Sequence, residues 1–202
     1  MIWLDECYIY LSDGRGDIYV TQRPGEEFHE DCVAPIFKQS PIQIMVWGCI
    51  MEGKKGPLLA LEYTGGKGGG MNAQRYWEQV LEAGFHDWYM ERCEELGQVV
   101  FQQDGAASHR AKETVHWFLE NHVDTFPRPS SSPDLSPIEP IWDILKGYIR
   151  ARPRAPTSFD ELKTAVFKAW DSITKEDINK HVWHMEDRVQ DVIAAKGGHT
   201  RF

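Results

Sequence analysis

Two carboxylates stand where the chain changes from one kind of element to the next. Asp104 follows the apolar run Val99-Val100-Phe101, which suits a short buried strand, and precedes Gly105, which frees the backbone to turn. Glu139 opens a helix after Ser132-Pro133-Asp134-Leu135-Ser136-Pro137-Ile138, and thirty-four residues separate it from Asp104. Acids at element ends, drawn together by a sheet and a helix, can hold a hard cation. Mg2+ and Mn2+ prefer carboxylate oxygen and keep positions open for water or phosphate. Each acid also has a plain structural reading. Asp104-Gly105 is a common turn dipeptide. Ser136, Pro137 and Glu139 fit a capping box, with Ser136 at the N-cap, Pro137 at the first helical position and Glu139 reaching back. Local pattern alone leaves both open.

The elements around these acids can be read from hydrophobic periodicity. Residues 2–4 form a short apolar strand that Asp5 and Glu6 end or continue, and a strand starting so early points to further chain upstream. Tyr8–Leu11 and Ile18–Val20 read as strands around the turn Ser12–Gly16. Residues 22–40 read as a loop, and Ile42–Ile50 is the strongest strand candidate, with Pro57–Leu61 pairing back after a turn at Gly53–Gly56. The glycine-rich stretch Thr64–Gly70 lacks the Gly-Lys-Ser/Thr of a phosphate loop and reads as a flexible connection. A helix is predicted over 73–95. A second is capped by Ser108 and carries Ala111, Val115, Phe118 and Leu119 as its stripe. Val123–Phe126 is a short strand. The helix over 137–150 buries Ile138, Ile141, Trp142, Leu145 and Ile149. A further helix is capped by Thr157 or Ser158 and carries Phe159, Leu162, Val166 and Trp170; a last one, near 175–195, carries Ile178, Val182, Met185, Val189 and Ile193 and ends at Gly197-Gly198. Strands followed by helices, with a helix between them, predict a mixed α/β layer fold in one domain spanning 1–202.

Composition narrows the class. The 202 residues allow a sizeable core, and 42% hydrophobic content fits a globular chain. No apolar run approaches the ~20 residues of a membrane span. Cys7, Cys32, Cys49 and Cys93 are scattered without a CxxC pair, which argues against a zinc knuckle or a disulfide framework. The net charge of −9 argues against a general nucleic-acid binder but not against a local basic face.

Taken together, the motifs resemble the catalytic domain of DDE transposases of the Tc/mariner superfamily, and its Tc branch in particular. The matching stretches are Leu4-Asp5-Glu6, Met45–Ile50 (MVWGCI), Phe101–Ala111 (FQQDGAASHRA), Ser132–Lys146 (SPDLSPIEPIWDILK) and Gly197–Phe202 (GGHTRF). They fall in the family's order and span nearly the whole chain. The resemblance implies an RNase H-like (retroviral integrase-like) fold, a mixed five-stranded sheet flanked by helices. It implies catalytic metal ligands at Asp5, Asp104 and Glu139. Strand alternation points Asp5 and Glu6 to opposite faces, so only one of the two can be the ligand.

The chemistry implied is cut-and-paste transposition: Mg2+-dependent cleavage of transposon ends and strand transfer by phosphoryl transfer. Two ions per site would activate the attacking oxygen and stabilise the leaving one, and Mn2+ would substitute. The implied partners are double-stranded DNA, both element ends and a TA target, and a second copy of the chain in a homodimer; the implied compartment is the nucleus. His109 and Asp143 are possible accessory residues. Lys146, Arg150, Arg152 and Arg154 are possible DNA contacts, against a plain role at a helix C-terminus. Asp134 reads as a helix-entry residue, and His181 with His184 as packing or surface rather than a metal site. Nothing in the chain resembles the helix-turn-helix domains with which such transposases usually begin, so the chain reads as a catalytic part alone. Two other functions compete: an inactive or domesticated transposase remnant that binds DNA or protein, and an RNA–DNA hybrid nuclease of the same fold.

Overall fold

Side-chain alternation along the first strand sets out the rest of the molecule. In the computed structural model, which describes residues 1–11, 42–62, 70–126, 128–129, 132–198 and 200–201, strand β1 runs unbroken over Ile2–Tyr10. Ile2 and Leu4 enter one hydrophobic core, and Trp3, Cys7 and Ile9 enter another. Successive side chains of a strand point to opposite faces, so the two cores lie on opposite sides of the sheet.

The sheet has five strands in the order β3-β2-β1-β4-β5, with β2 at Gln43–Met51, β3 at Lys54–Leu61, β4 at Val100–Gln102 and β5 at Asp124–Phe126. β1 to β3 form an antiparallel meander. β4 and β5 run parallel to β1. One core packs the sheet against a helical run: α1 (Ala73–Tyr76), a π-helical segment (Trp77–Phe85) and α2 (His86–Leu96), joined by α3 (Lys112–Glu120). The other packs it against α4 (Glu139–Arg150), α5 (Phe159–Ser172) and α6 (Lys175–Val182). α7 (Met185–Ala194) follows. Among the described residues no helix is long and apolar enough to cross a membrane.

Several expectations change. Residues 2–4 and Tyr8–Tyr10 are one strand, because β2 pairs with it from Ile2 to Tyr10 and carries it past its two acids. Ser108 does not cap α3. It is buried, its carbonyl accepts from the Thr114 hydroxyl at 2.7 Å, and the helix starts at Lys112 with Ala111 at the cap. The buried face of α3 is Thr114, Trp117 and Phe118, whereas Val115 and Leu119 are exposed. The predicted 175–195 helix is two helices, since Trp183 and His184 interrupt it; Val189 and Ile193 of α7 are exposed. Phe159 is also exposed, while Ser158 caps α5 as expected, accepting from the Glu161 N–H. The Ile18–Val20 strand, the 22–40 loop, Cys32 and most of the Gly-rich connection lie outside the described residues. Cys7, Cys49 and Cys93 are free thiols.

Candidate active site

β1 carries two adjacent acids to opposite faces. Asp5 shares the face of Trp3 and Cys7, toward α4, and Glu6 shares that of Ile2 and Leu4, toward α1 and α3. Burial, the nearby Glu139 and Glu6 carboxyls, and hydrogen-bonding reach of Glu139 push the Asp5 carboxyl up to about 8; the Glu6 N–H, donating to Asp5 Oδ1 at 2.9 Å, works against them. Lys146 lies on the same side. Burial raises the Cys7 thiol to about 11 although the Lys146 ammonium beside it acts the other way, and Glu139 and Asp5 add to the rise.

Glu139 is free for this role because it is not spent on a cap. α4 begins at Glu139 with Ile138 at the cap position and no side-chain cap bond. Ser136, expected at the N-cap, is fully buried, and its hydroxyl has no hydrogen-bond partner among the described residues. The 3-10 turn Pro133–Leu135 intervenes and moves Ser136 inward before the helix starts. The five predicted core residues Ile138, Ile141, Trp142, Leu145 and Ile149 are all buried and fix the helix on the sheet.

Asp104 comes from the next strand. β4 is parallel to β1 and pairs Gln102 with Trp3, so two residues further along both strands the chain brings Asp104 out beside Asp5. Its Oδ1 accepts from the Ala106 N–H at 2.9 Å and lies 2.7 Å from His109 Nδ1. The His109 bond holds the Asp104 carboxyl down to about 2, with burial opposing. Its Oδ2 accepts no hydrogen bond from the described residues. His109 is 3% exposed. Its Nε2 lies 3.1 Å from Glu6 Oε1, and the Tyr76 ring packs on it with centroids 4.3 Å apart. Burial pulls the imidazole down, but the bonds to Asp104 and Glu6 outweigh it and raise His109 to about 9.

Asp5 and Glu139 thus converge, and Asp104 stands nearby but is turned to His109. Among the described residues no group of three His, Cys, Asp or Glu is close enough to share one ion. The donor set still fits Mg2+ or Mn2+. It consists of carboxylate oxygens, and the Asp5 carboxyl is crowded by like charge that a cation would relieve. The pairing of Glu6 with His109 was not read from the sequence, although Glu6 lies at a strand position facing away from Asp5.

The remaining candidates separate. Asp143 is exposed on α4, one turn beyond Glu139. Asp134 is structural: its carbonyl accepts from Arg188 Nη1 at 3.0 Å and its Oδ2 from the Thr200 hydroxyl at 3.3 Å. Lys146 faces Cys7, Arg154 pairs with Glu161 at 2.6 Å, and Arg150 and Arg152 are exposed at the helix end. The His184 ring bonds the Lys180 carbonyl.

A mixed five-stranded sheet with acids on its first strand, after its fourth and on the helix beyond defines an RNase H-like fold. Solved structures of Mos1 transposase share it. The Mos1 mariner paired-end complex with Mn superposes with a TM-score of 0.74 at 20% identity, over 99% of this chain and 56% of that one. The catalytic domain of Mos1 mariner transposase gives 0.68 at 17% identity, over 99% of this chain and 83% of that one. Transposable element Tc1 transposase of Caenorhabditis elegans is 32% identical over 205 residues, covering 100% of this chain and 70% of that protein. Transposable element Tcb1 transposase of Caenorhabditis briggsae is 29% identical over the same shares. The chain belongs to the Tc/mariner transposase family. No family model matches it. It spans 56% of the length of the Mos1 chain in the paired-end complex.

Proposed function

We propose that the chain carries out the chemical steps of cut-and-paste transposition, with Asp5, Asp104 and Glu139 as the residues that hold divalent cations. The observation that carries this reading is the convergence of Asp5 and Glu139 on one face of β1, where burial first, and then the Glu139 and Glu6 carboxyls, raise Asp5 to about 8. Such a pair costs stability with no cation to answer it, and ligand duty accounts for its presence.

When bound, Mg2+ or Mn2+ supplies Lewis-acid activation of the attacking oxygen and neutralises charge on the leaving one. The chain's own residues do the rest. Asp5 would give up its proton, and Asp5 and Glu139 would offer hard oxygen donors. Asp104 offers Oδ2 while its Oδ1 stays fixed by Ala106 and His109. Three carboxylates offset the ions' charge and leave room for phosphate. No Ser or Tyr nucleophile is required. Solved Mos1 structures contain Mg or Mn, and others contain the left transposon end, which supports divalent-metal and DNA dependence here. Two ions per site, a homodimer, a TA target and work in the nucleus belong to the same proposal. Lys146, Arg150, Arg152 and Arg154 are the proposed phosphate contacts.

The test is cleavage and joining of duplex ends in Mg2+, with Asp104→Ala and Glu139→Ala beside the unaltered chain. Both variants should fold and lose activity. Full activity in either removes it from the ligand set. An inactive but folded parent chain that takes up no Mn2+ in an anomalous-scattering soak favours the remnant reading.

A further inference from the structure

Four observations bear on the residue pair Asp5-Glu6. Alternation places the two carboxylates on opposite faces of β1, so they do not serve one ion together. His109, nine-tenths or more buried, spends both ring nitrogens on carboxylates, 2.7 Å to Asp104 and 3.1 Å to Glu6. Asp104 has one oxygen taken twice, by Ala106 and by His109, and the other untouched. The Tyr76 ring closes the side of His109, and the Tyr76 hydroxyl donates to Gln103 Oε1 at 3.0 Å, so the residue before Asp104 is held too.

We propose that Glu6 and His109 are positioning residues: Glu6, fixed in β1, anchors the His109 ring, and the ring fixes Asp104 Oδ1 so that Oδ2 is the oxygen offered to the site. Glu6 is therefore not the first ligand, and the two acids of Leu4-Asp5-Glu6 have different tasks. This inference rests on the metal-site reading above. The physical logic is that a ligating carboxylate binds best when its unused oxygen is already held, because the ion then meets fewer side-chain orientations. Outer partners of this kind are worth about 10–100-fold in ion affinity.

The experiment is a Mn2+ titration followed by electron paramagnetic resonance, on the whole chain and on Glu6→Gln, Glu6→Ala, His109→Ala and Asp5→Asn. Glu6→Gln keeps an oxygen to accept from His109 and should bind within about threefold of the parent. Glu6→Ala and His109→Ala should bind about 10–100-fold more weakly. Asp5→Asn should lose the ion. Side-chain 15N spectra of His109 supply a readout that does not need metal. A ring N–H on Nε2 protected from exchange should persist in Glu6→Gln and vanish in Glu6→Ala, which also decides the matter if His109→Ala does not fold. Glu6→Gln as damaging as Glu6→Ala would make Glu6 a ligand and overturn the proposal. So would parental affinity in Glu6→Ala. A parent chain that takes up no Mn2+ overturns the metal reading itself, and this inference with it.

Discussion

Gly48 is the ladder partner of Asp5 in the β1–β2 pair, and a Cβ built on it would lie 2.8 Å from Cη2 of Trp142 and 3.2 Å from Cη2 of Trp170. Cross-strand partners face the same side of the sheet. The bare backbone at Gly48 therefore lets the stacked Trp142–Trp170 pair, with centroids 5.5 Å apart, sink onto the sheet beside Asp5. Trp142 sits on α4 one turn after Glu139, so the same close approach brings Glu139 to Asp5.

Gly48→Ala should accordingly destabilise the fold by about 1–3 kcal/mol, the usual penalty for overpacking a filled core. It should also weaken Mn2+ binding by lifting α4. Gly147, on the same helix, has nothing within 4 Å of a built Cβ. Gly147→Ala should be more stable by about 0.5–1 kcal/mol, because Ala loses less entropy in a helix. Urea unfolding of the two variants measures both, and equal effects would contradict the packing argument.

The metal-free chain should lose stability as pH rises. Asp5 is held protonated up to about 8, against 3.8 for an ordinary Asp. Between those values the folded chain keeps a proton that the unfolded chain has released, so folding weakens as pH increases. His109, raised from 6.5 to about 9, adds a slope of the same sign in its own window. Asp104, lowered from 3.8 to about 2, gives its full contribution above 3.8 and is level here. Melting temperature should fall from about pH 5 to pH 9 without metal and recover on adding Mg2+. Asp5→Asn should flatten the lower half of that fall. A flat parental profile would contradict the crowding of Asp5.

Ser136→Ala separates two accounts of the turn before α4. An N-cap serine lost to Ala costs about 0.5–2 kcal/mol. The Ser136 hydroxyl instead lies buried with no partner among the described residues, and a buried group of this kind costs about 1–3 kcal/mol while unsatisfied. The variant should unfold at the same urea concentration as the parent or a higher one. A loss above about 1 kcal/mol would restore the capping reading.

The sequence shows most of the framework because its signals are periodic. The α4 stripe from Ile138 to Ile149 and the β2 run are each legible alone, and both hold in the structure. Errors cluster where a local rule competes with a distant contact. Ser108 and Ser136 both look like caps, yet each is buried by packing that no neighbouring residue announces. β1 looks like two strands because its acids interrupt the apolar pattern, and only the ladder to β2 carries it through. At the site, the types and order of the acids are visible, but the Glu6–His109–Asp104 bridge is not. It joins residues 103 apart in sequence, and no periodicity spans such a distance.

The parallel pairing of β1 with β4 also orders events in time. Asp5 is made well before the strand that sets Asp104 beside it, Val100–Gln102, and α4 comes later still. Until the Glu139 helix has emerged and docked, an emerging polypeptide has no place where the acids meet. On the proposed ligand set, assembly of the site therefore waits for completion of the fold, and a chain cut short before α4 would lack Glu139.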